Sequence, residues 1–238
     1  SAVMMPLPRM ACVILPDLAL QLLLRTRPAW RNAPIAVVAE DRPESPLLQL
    51  DHLARRLRLC AGMRLGEARN LLPGLRAGVV SPLQVEACVT ELVHGLQIFS
   101  PHVERDPETA GVFYVNPVGL CGMYGGELAW GKSLRTYFRG RGLHAVVAIG
   151  HGRAQCHVLA RCLHHRAGFL SARRPVRGDE RRASACDRPA PIDAAVPSNG
   201  GRSAGADIVA RGLVRVADEA TMGALAGQAP LSLLGMRP

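Results

Sequence analysis

Apolar and polar positions come in blocks along this chain, and the blocks predict its elements. Met10–Leu15 (MACVIL) is a short apolar run of the kind a buried strand shows, stopped by Pro16. Asp17 is placed to cap a helix over Leu18–Arg27 that ends near Pro28, and Pro34–Ala39 (PIAVVA) is a second buried strand. Between Leu47 and Ala77 lies a small unit with two short helices, Leu53–Leu59 and Leu65–Leu72, joined by Ala61-Gly62. Ala77–Val80 then returns to an extended form. Ser81-Pro82-Leu83-Gln84 is a strong helix start, with Ser81 as N-cap, Pro82 at the first helical position and Gln84 closing a capping box. That helix should reach about Phe99, with Val85, Val89, Leu92, Val93 and Leu96 on one face.

Ser100–Leu120 reads as two strands, roughly Pro101–Asp106 and Val112–Asn116, joined by the turn-rich PETAG connection. Glu127–Arg139 is helical and stops at the glycines 140 and 142. Leu143–Ile149 is a nearly pure apolar strand, and a helix runs from about Arg153 to His165. A hairpin between two helices in one sheet is the centre of the split β-α-β-β-α-β unit. The pattern therefore predicts an α+β fold: a ferredoxin-like palm with a small helical insert. Beyond Ser171 the composition changes to an Arg-, Gly- and Ser-rich stretch, read as linker-like over 171–205, and a last helix is expected over Ala206–Leu225.

Composition adds a sign to this outline. The net charge is +10, and of 29 basic residues only Lys132 is lysine. Guanidinium groups suit phosphates, and a field of this sign favours polyanionic partners, nucleic acid first. The insert concentrates it, with Arg55, Arg56, Arg58, Arg64, Arg69 and Arg76 against Asp51 and Glu67. The seven cysteines are scattered and form no C-x-x-C pair, which points to a reduced, cytoplasmic chain. Arg9, Pro16 and Asp17 break the apolar N-terminus before it could serve as a membrane span.

The segments MACVILPDLALQLL, LARRLRLCAGMRLGEARNLLP, FSPHVERDPETAGVFYVNPVGL and LHAVVAIGHGRAQCHVLAR together resemble the Y-family (UmuC/DinB-type) DNA polymerases. They are most similar to the ImuB branch, the polymerase-like subunit of bacterial mutagenesis cassettes. The resemblance spans about Met10 to Gly168. It implies a palm over 10–44 and 78–170, fingers over 45–77, and a partial helical thumb and tail over 206–238. The family's little-finger domain has no counterpart in this sequence, so a truncated or degenerate copy is expected. The Arg-rich stretch Ser171–Pro191 has no counterpart in the family.

Nucleotidyl transfer needs two Mg²⁺ about 4 Å apart, held by carboxylates on the first strand and on the hairpin. By the resemblance those positions are Ile14 and, depending on a one-residue gap, two of Thr109, Ala110 and Gly111. None is acidic. Asp17 suits a helix cap, and Asp106 and Glu108 lie before the turn. The resemblance places Arg55 at the family's triphosphate-binding arginine, with His52 in place of an aromatic neighbour and His165 in place of a lysine. Arg56, Arg58, Arg64 and Arg153 become candidate DNA contacts. The expectation is a non-catalytic DNA-binding and recruiting subunit in error-prone translesion synthesis, needing no cofactor. Its implied partners are primer–template DNA, a RecA-like companion, a C-family error-prone polymerase and the sliding clamp. An active Mg²⁺-dependent polymerase is the first alternative.

Three further motifs carry chemistry. Gly126–Ser133 (GELAWGKS) matches the Walker A pattern and raises a P-loop NTPase as the second alternative, although its interior is helix-forming and bulky. His151, Cys156, His157, Cys162, His164 and His165 crowd one segment, but the cysteines' spacing sends them to different helix faces, as buried thiols rather than zinc ligands. The tail residues Gln228, Leu231, Leu233 and Leu234 fit a short clamp-docking peptide, or the apolar face of a thumb helix.

Overall fold

A computed structural model of the chain describes residues 9–172 and 214–217. The main sheet has five strands in the order β5-β6-β1-β7-β8. These are β1 (Arg9–Ile14), β5 (Val103–Arg105), β6 (Val112–Val115), β7 (Val146–His151) and β8 (Val214–Val216). β1 lies centrally and runs antiparallel to both β6 and β7. With the helices α4 (Pro82–Leu96) and α5 (Glu127–Gly140), the path β1-α4-β5-β6-α5-β7 is the split β-α-β-β-α-β unit. The fold is α+β, as the sequence pattern predicts.

Strand alternation divides the core. Ala11, Val13 and Leu15 point to one face, where α4 contributes Leu92 and Leu96 and α5 contributes Trp130, Leu134 and Phe138. Cys12, Ile14, Val112 and Tyr114 point to the other, which α6 (Arg153–Ala172) covers with Cys156, Leu159 and Ala160. The α4 capping box is present, with Ser81 Oγ accepting from Gln84 N and Gln84 Oε1 accepting from Ser81 N.

α4 and α5 approach so closely that Gly95 faces the Tyr137 phenol, and a Cβ at Gly95 would collide with that hydroxyl oxygen. The Tyr137 ring is itself held between Phe99, Phe138 and the Arg141 guanidinium. Gly95→Ala should therefore destabilise the chain by about 1–3 kcal/mol in urea unfolding, although alanine is the better helix former. Gly95→Ala/Tyr137→Ala, which removes the obstructing ring, should show a non-additive recovery relative to the two single changes.

A second sheet carries the insert. β2 (Ile35–Val38) pairs antiparallel with β3 (Leu47–Leu50) and parallel with β4 (Arg76–Val79). One face packs on α2 (His52–Arg56) and α3 (Leu65–Leu71) through Ala36, Val38, Ala54, Leu65 and Ala68. The other packs on α1 (Leu18–Thr26) through Leu20, Leu23, Ile35 and Val37. Buried Asp51 ties the parts together. Its Oδ1 accepts from Ala54 N at 2.9 Å, capping α2, and from Ile35 N at 3.0 Å.

Two local expectations are corrected. Asp17 does not cap α1: its backbone is left-handed (φ 47°) and its carboxylate makes no capping bond. A left-handed residue turns its side chain away from the orphan N–H groups of the helix start. Within the helix expected over Ala206–Leu225, Val214–Val216 is instead a strand parallel to β7. There the unpaired edge of β7 outweighs local helical pattern, and Arg9 Nη1 fixes the strand's end by donating to Ala217 O at 2.8 Å. The rest of the expected thumb, the linker-like stretch from 173 and the clamp-docking residues 228–234 lie outside the described residues.

Candidate functional site

The end of β1, the turn of the β5–β6 hairpin and one side of α6 enclose a cleft of about 480 Å³. Ile14, Thr109 and Ala110 line it together. The positions where the resemblance puts carboxylates thus converge in space while carrying a methyl-bearing chain, a hydroxyl and a single methyl. Gly111, the remaining hairpin position, sits at φ 85° with its carbonyl accepting from Leu15 N at 2.8 Å. A Cβ there would come within 3.1 Å of Leu15 O and 3.3 Å of Leu18. The backbone itself disfavours a carboxylate-bearing side chain at that point.

The nearby acids are engaged elsewhere. Asp106 Oδ1 accepts from Glu108 N at 3.0 Å and Thr109 N at 2.8 Å, so its carboxylate holds the hairpin turn closed. Its other oxygen accepts from the Tyr114 hydroxyl at 3.3 Å. Asp106 and Glu108 line a separate cavity of about 170 Å³ beside Glu86 and Arg105. Asp17 does line the main cleft, but it is paired with Arg55 at 3.1 Å. Among the described residues no group of three or more His, Cys, Asp or Glu side chains is arranged to hold a metal ion.

The wall supplied by α6 carries one arginine and three imidazoles. His157, Arg161, His164 and His165 fall on one strip of that helix and line the cleft. His157 Nδ1 lies 2.9 Å from the Tyr114 hydroxyl. Burial lowers the pKa of His157, helped by Arg161 and opposed by Asp106. Burial also lowers that of His164, where Asp17 acts in the opposite sense. The Tyr114 phenol is pushed upward, first by burial and then by neighbouring Cys12 and Asp106. The i, i+4, i+7, i+8 spacing of these four residues is a helical one in the sequence, and only the fold shows that it faces the cleft.

The remaining candidates are dispersed. His52 opens α2 on an exposed surface and does not line the cleft. Arg56 and Arg58 are exposed beyond it, and Arg58 holds a left-handed backbone (φ 67°). Arg64 lies at the start of α3, beside an open depression shared with Glu44 and Glu67. Arg153 is not free: it pairs with Glu104 and its guanidinium lies 4.4 Å from the centre of the Tyr114 ring. Cys156 is buried, its thiol pushed up to about 11 by desolvation, and Cys12 shares that apolar layer.

The Walker-like stretch is corrected. From Glu127 onward it is the first two turns of α5, with Trp130 fully buried and Ser133 Oγ donating to Ala129 O. A P-loop wraps phosphate with an open loop ahead of its helix, whereas here the segment is already helical from Glu127 and from Trp130 on its N–H groups are committed to the preceding turn, Trp130 N donating to Gly126 O at 3.0 Å.

No family model matches the sequence and no curated protein matches it, but solved structures do. DinB from Sulfolobus solfataricus superposes at a TM-score of 0.54 with 14% identity, over 65% of this chain and 45% of that one. An insertion ternary complex of Dbh DNA polymerase gives 0.54 and 14% over 65% and 46%. A Y-family polymerase chimera of Dbh and Dpo4 gives 0.52 and 14% over 61% and 43%. The chain spans less than half the length of these polymerases, and what it shares with them is the fold.

Proposed function

We propose that this chain is a non-catalytic member of the Y-family polymerase group, one that binds DNA and recruits other proteins during error-prone translesion synthesis. One observation carries the reading. Ile14, Thr109 and Ala110 line one cleft, and the resemblance assigns those positions to the carboxylates that hold Mg²⁺ in an active polymerase. A surface rich in exposed guanidinium groups supports DNA as the partner, since phosphate contacts position a duplex without reading its sequence. The ImuB-like resemblance adds a RecA-like companion, a C-family polymerase that carries out synthesis, and the sliding clamp as the proteins recruited.

The reading is tested by giving purified protein a primed template, nucleoside triphosphates and Mg²⁺. The expected outcome is no primer extension at protein concentrations that saturate the DNA. Extension above background would overturn the reading in favour of an active polymerase, with Asp17 drawn away from Arg55 to serve as a ligand.

A further inference from the structure

The second sheet, in the order β3-β2-β4, ends on β4, which pairs with β2 alone. Arg76 N donates to Pro34 O at 2.9 Å in that parallel ladder. Residues 76 and 78 therefore turn their N–H and C=O groups toward β2, while Ala77 and Val79 turn theirs outward. Among the described residues no backbone group meets that outward row. The edges at β3 and β5 differ. β3 is covered from behind, Leu47 N donating to Met63 O and Gly62 N to Leu47 O, each at 2.8 Å. β5 is three residues long between Pro101 and Pro107, and its Glu104 and Arg105 are held in ion pairs. Shortness, charge and proline are the devices that close an edge to other chains. β4, with the sequence Arg-Ala-Gly-Val, has four residues, no proline and no acid.

An open edge fixes the form of what fits it, because only an extended backbone matches such a row of donors and acceptors. Side chains set the chemistry. Arg76, exposed and without an ion pair among the described residues, stands at one end of the edge. At the other end Val79 is 46% exposed, and Leu83, in the first turn of α4 just beyond, is 81% exposed.

We propose that β4 pairs with an extended segment of a partner protein, one carrying a carboxylate at the Arg76 end and an apolar side chain at the Val79 end. A second copy of this chain fits less well. Pairing two β4 edges would set one net charge of +10 against another, with no acid on either strand to offset the two Arg76 side chains. The inference rests on the recruiting role proposed above and gives it a contact surface. β4 lines no part of the main cleft, so a segment seated on the edge leaves the cleft open.

The probe is a fluorescein-labelled synthetic peptide of about six residues, the length of an ordinary strand, alternating valine and threonine between terminal glutamates. Anisotropy is measured with the whole chain and without DNA, because Arg76 is also among the charges offered to phosphate. Saturable binding is expected. Of two versions N-methylated at alternate nitrogens, one should bind at least about tenfold more weakly and the other as before, since only one set of N–H groups faces β4. Val79→Pro removes an outward N–H without touching the ladder to β2, and should also weaken binding about tenfold. Arg76→Glu should weaken the glutamate peptide and tighten its lysine counterpart, each several-fold. That exposed side chain keeps the proposal testable should the proline variant fail to fold. Hydrogen exchange at the Ala77 and Val79 amides should slow when the peptide saturates the chain. No saturable binding, indifference to N-methylation, or affinity unmoved by both substitutions would overturn the proposal. So would self-association of the free chain that Val79→Pro abolishes, which would assign the edge to a second copy. Primer extension is measured apart: extension beside intact peptide binding would retire the non-catalytic reading and leave the edge site standing.

Discussion

Affinity for primer–template DNA should fall about a hundredfold as salt rises from about 50 to about 200 mM. The slope of log K against log salt is roughly −0.9 for each phosphate neutralised on duplex DNA. Four contacts give a slope near −3.6, and a fourfold change in salt then costs about two decades. Arg56, Arg58, Arg64 and Arg76, all exposed on the insert, supply that number. Arg56, Arg58 and Arg64 have no ion pair among the described residues, whereas Arg55 is held by Asp17 and Arg153 by Glu104. Substituting Arg56, Arg58 and Arg64 together by alanine should reduce the slope by about three. The same substitutions should weaken binding to all duplex sequences alike. Arg153→Ala should change the slope by less than one unit, because its charge is already matched. Fluorescence anisotropy over a salt series measures both quantities. A parent slope near zero would remove DNA from the proposed function, and an unchanged slope in the triple variant would move the contact surface off the insert.

Trp130→Ala should cost about 3–5 kcal/mol, enough to unfold a domain of ordinary stability at 37 °C. The indole is fully buried among Leu134, Phe138 and Leu96, and its Nε1 donates to Phe99 O at 3.2 Å across the gap between α5 and the end of α4. Removing it leaves a cavity and an unpaired carbonyl in the same place. Trp130→Phe fills most of the volume and loses only the hydrogen bond, so its cost should be about 1–2 kcal/mol. Urea unfolding of the two variants separates these contributions. Equal costs would mean that packing around the indole contributes little.

The elements written in local sequence were legible. The Ser81 capping box, the PETAG turn and the apolar runs of β1, β2 and β7 depend on neighbours a few residues apart, and each forms where its pattern predicts. What depended on distant partners was not legible. β3 (Leu47–Leu50) is too short to announce itself and becomes a strand by pairing with β2. The parallel pairing of β2 with β4 joins residues on either side of the helical insert and builds a second sheet that no local signal foretells. β8 has three residues, Val-Arg-Val, whose alternation is too short to be read as a strand without the β7 edge beside them. At the site, the family resemblance pointed to Ile14 and to two of Thr109, Ala110 and Gly111, and Ile14, Thr109 and Ala110 line one cleft. The Asp17–Arg55 pair was hidden because Asp17 lies in the turn after β1 while Arg55 lies on α2 of the insert, and Asp17 preceding an apolar helix looks like a cap.

The docking of β8 bears on how the chain leaves the ribosome. Until residues 214–217 emerge, β7 offers a bare row of N–H and C=O groups along one of the most apolar stretches of the molecule. Nascent chains stalled before that point would expose a template for pairing with one another. Arg9, at the start of β1, is held by Glu127 and donates to the carbonyl of Ala217, so among the described residues the earliest strand fixes the end of the latest one. A chaperone that covered the β7 edge until residue 217 emerged should therefore raise the soluble yield.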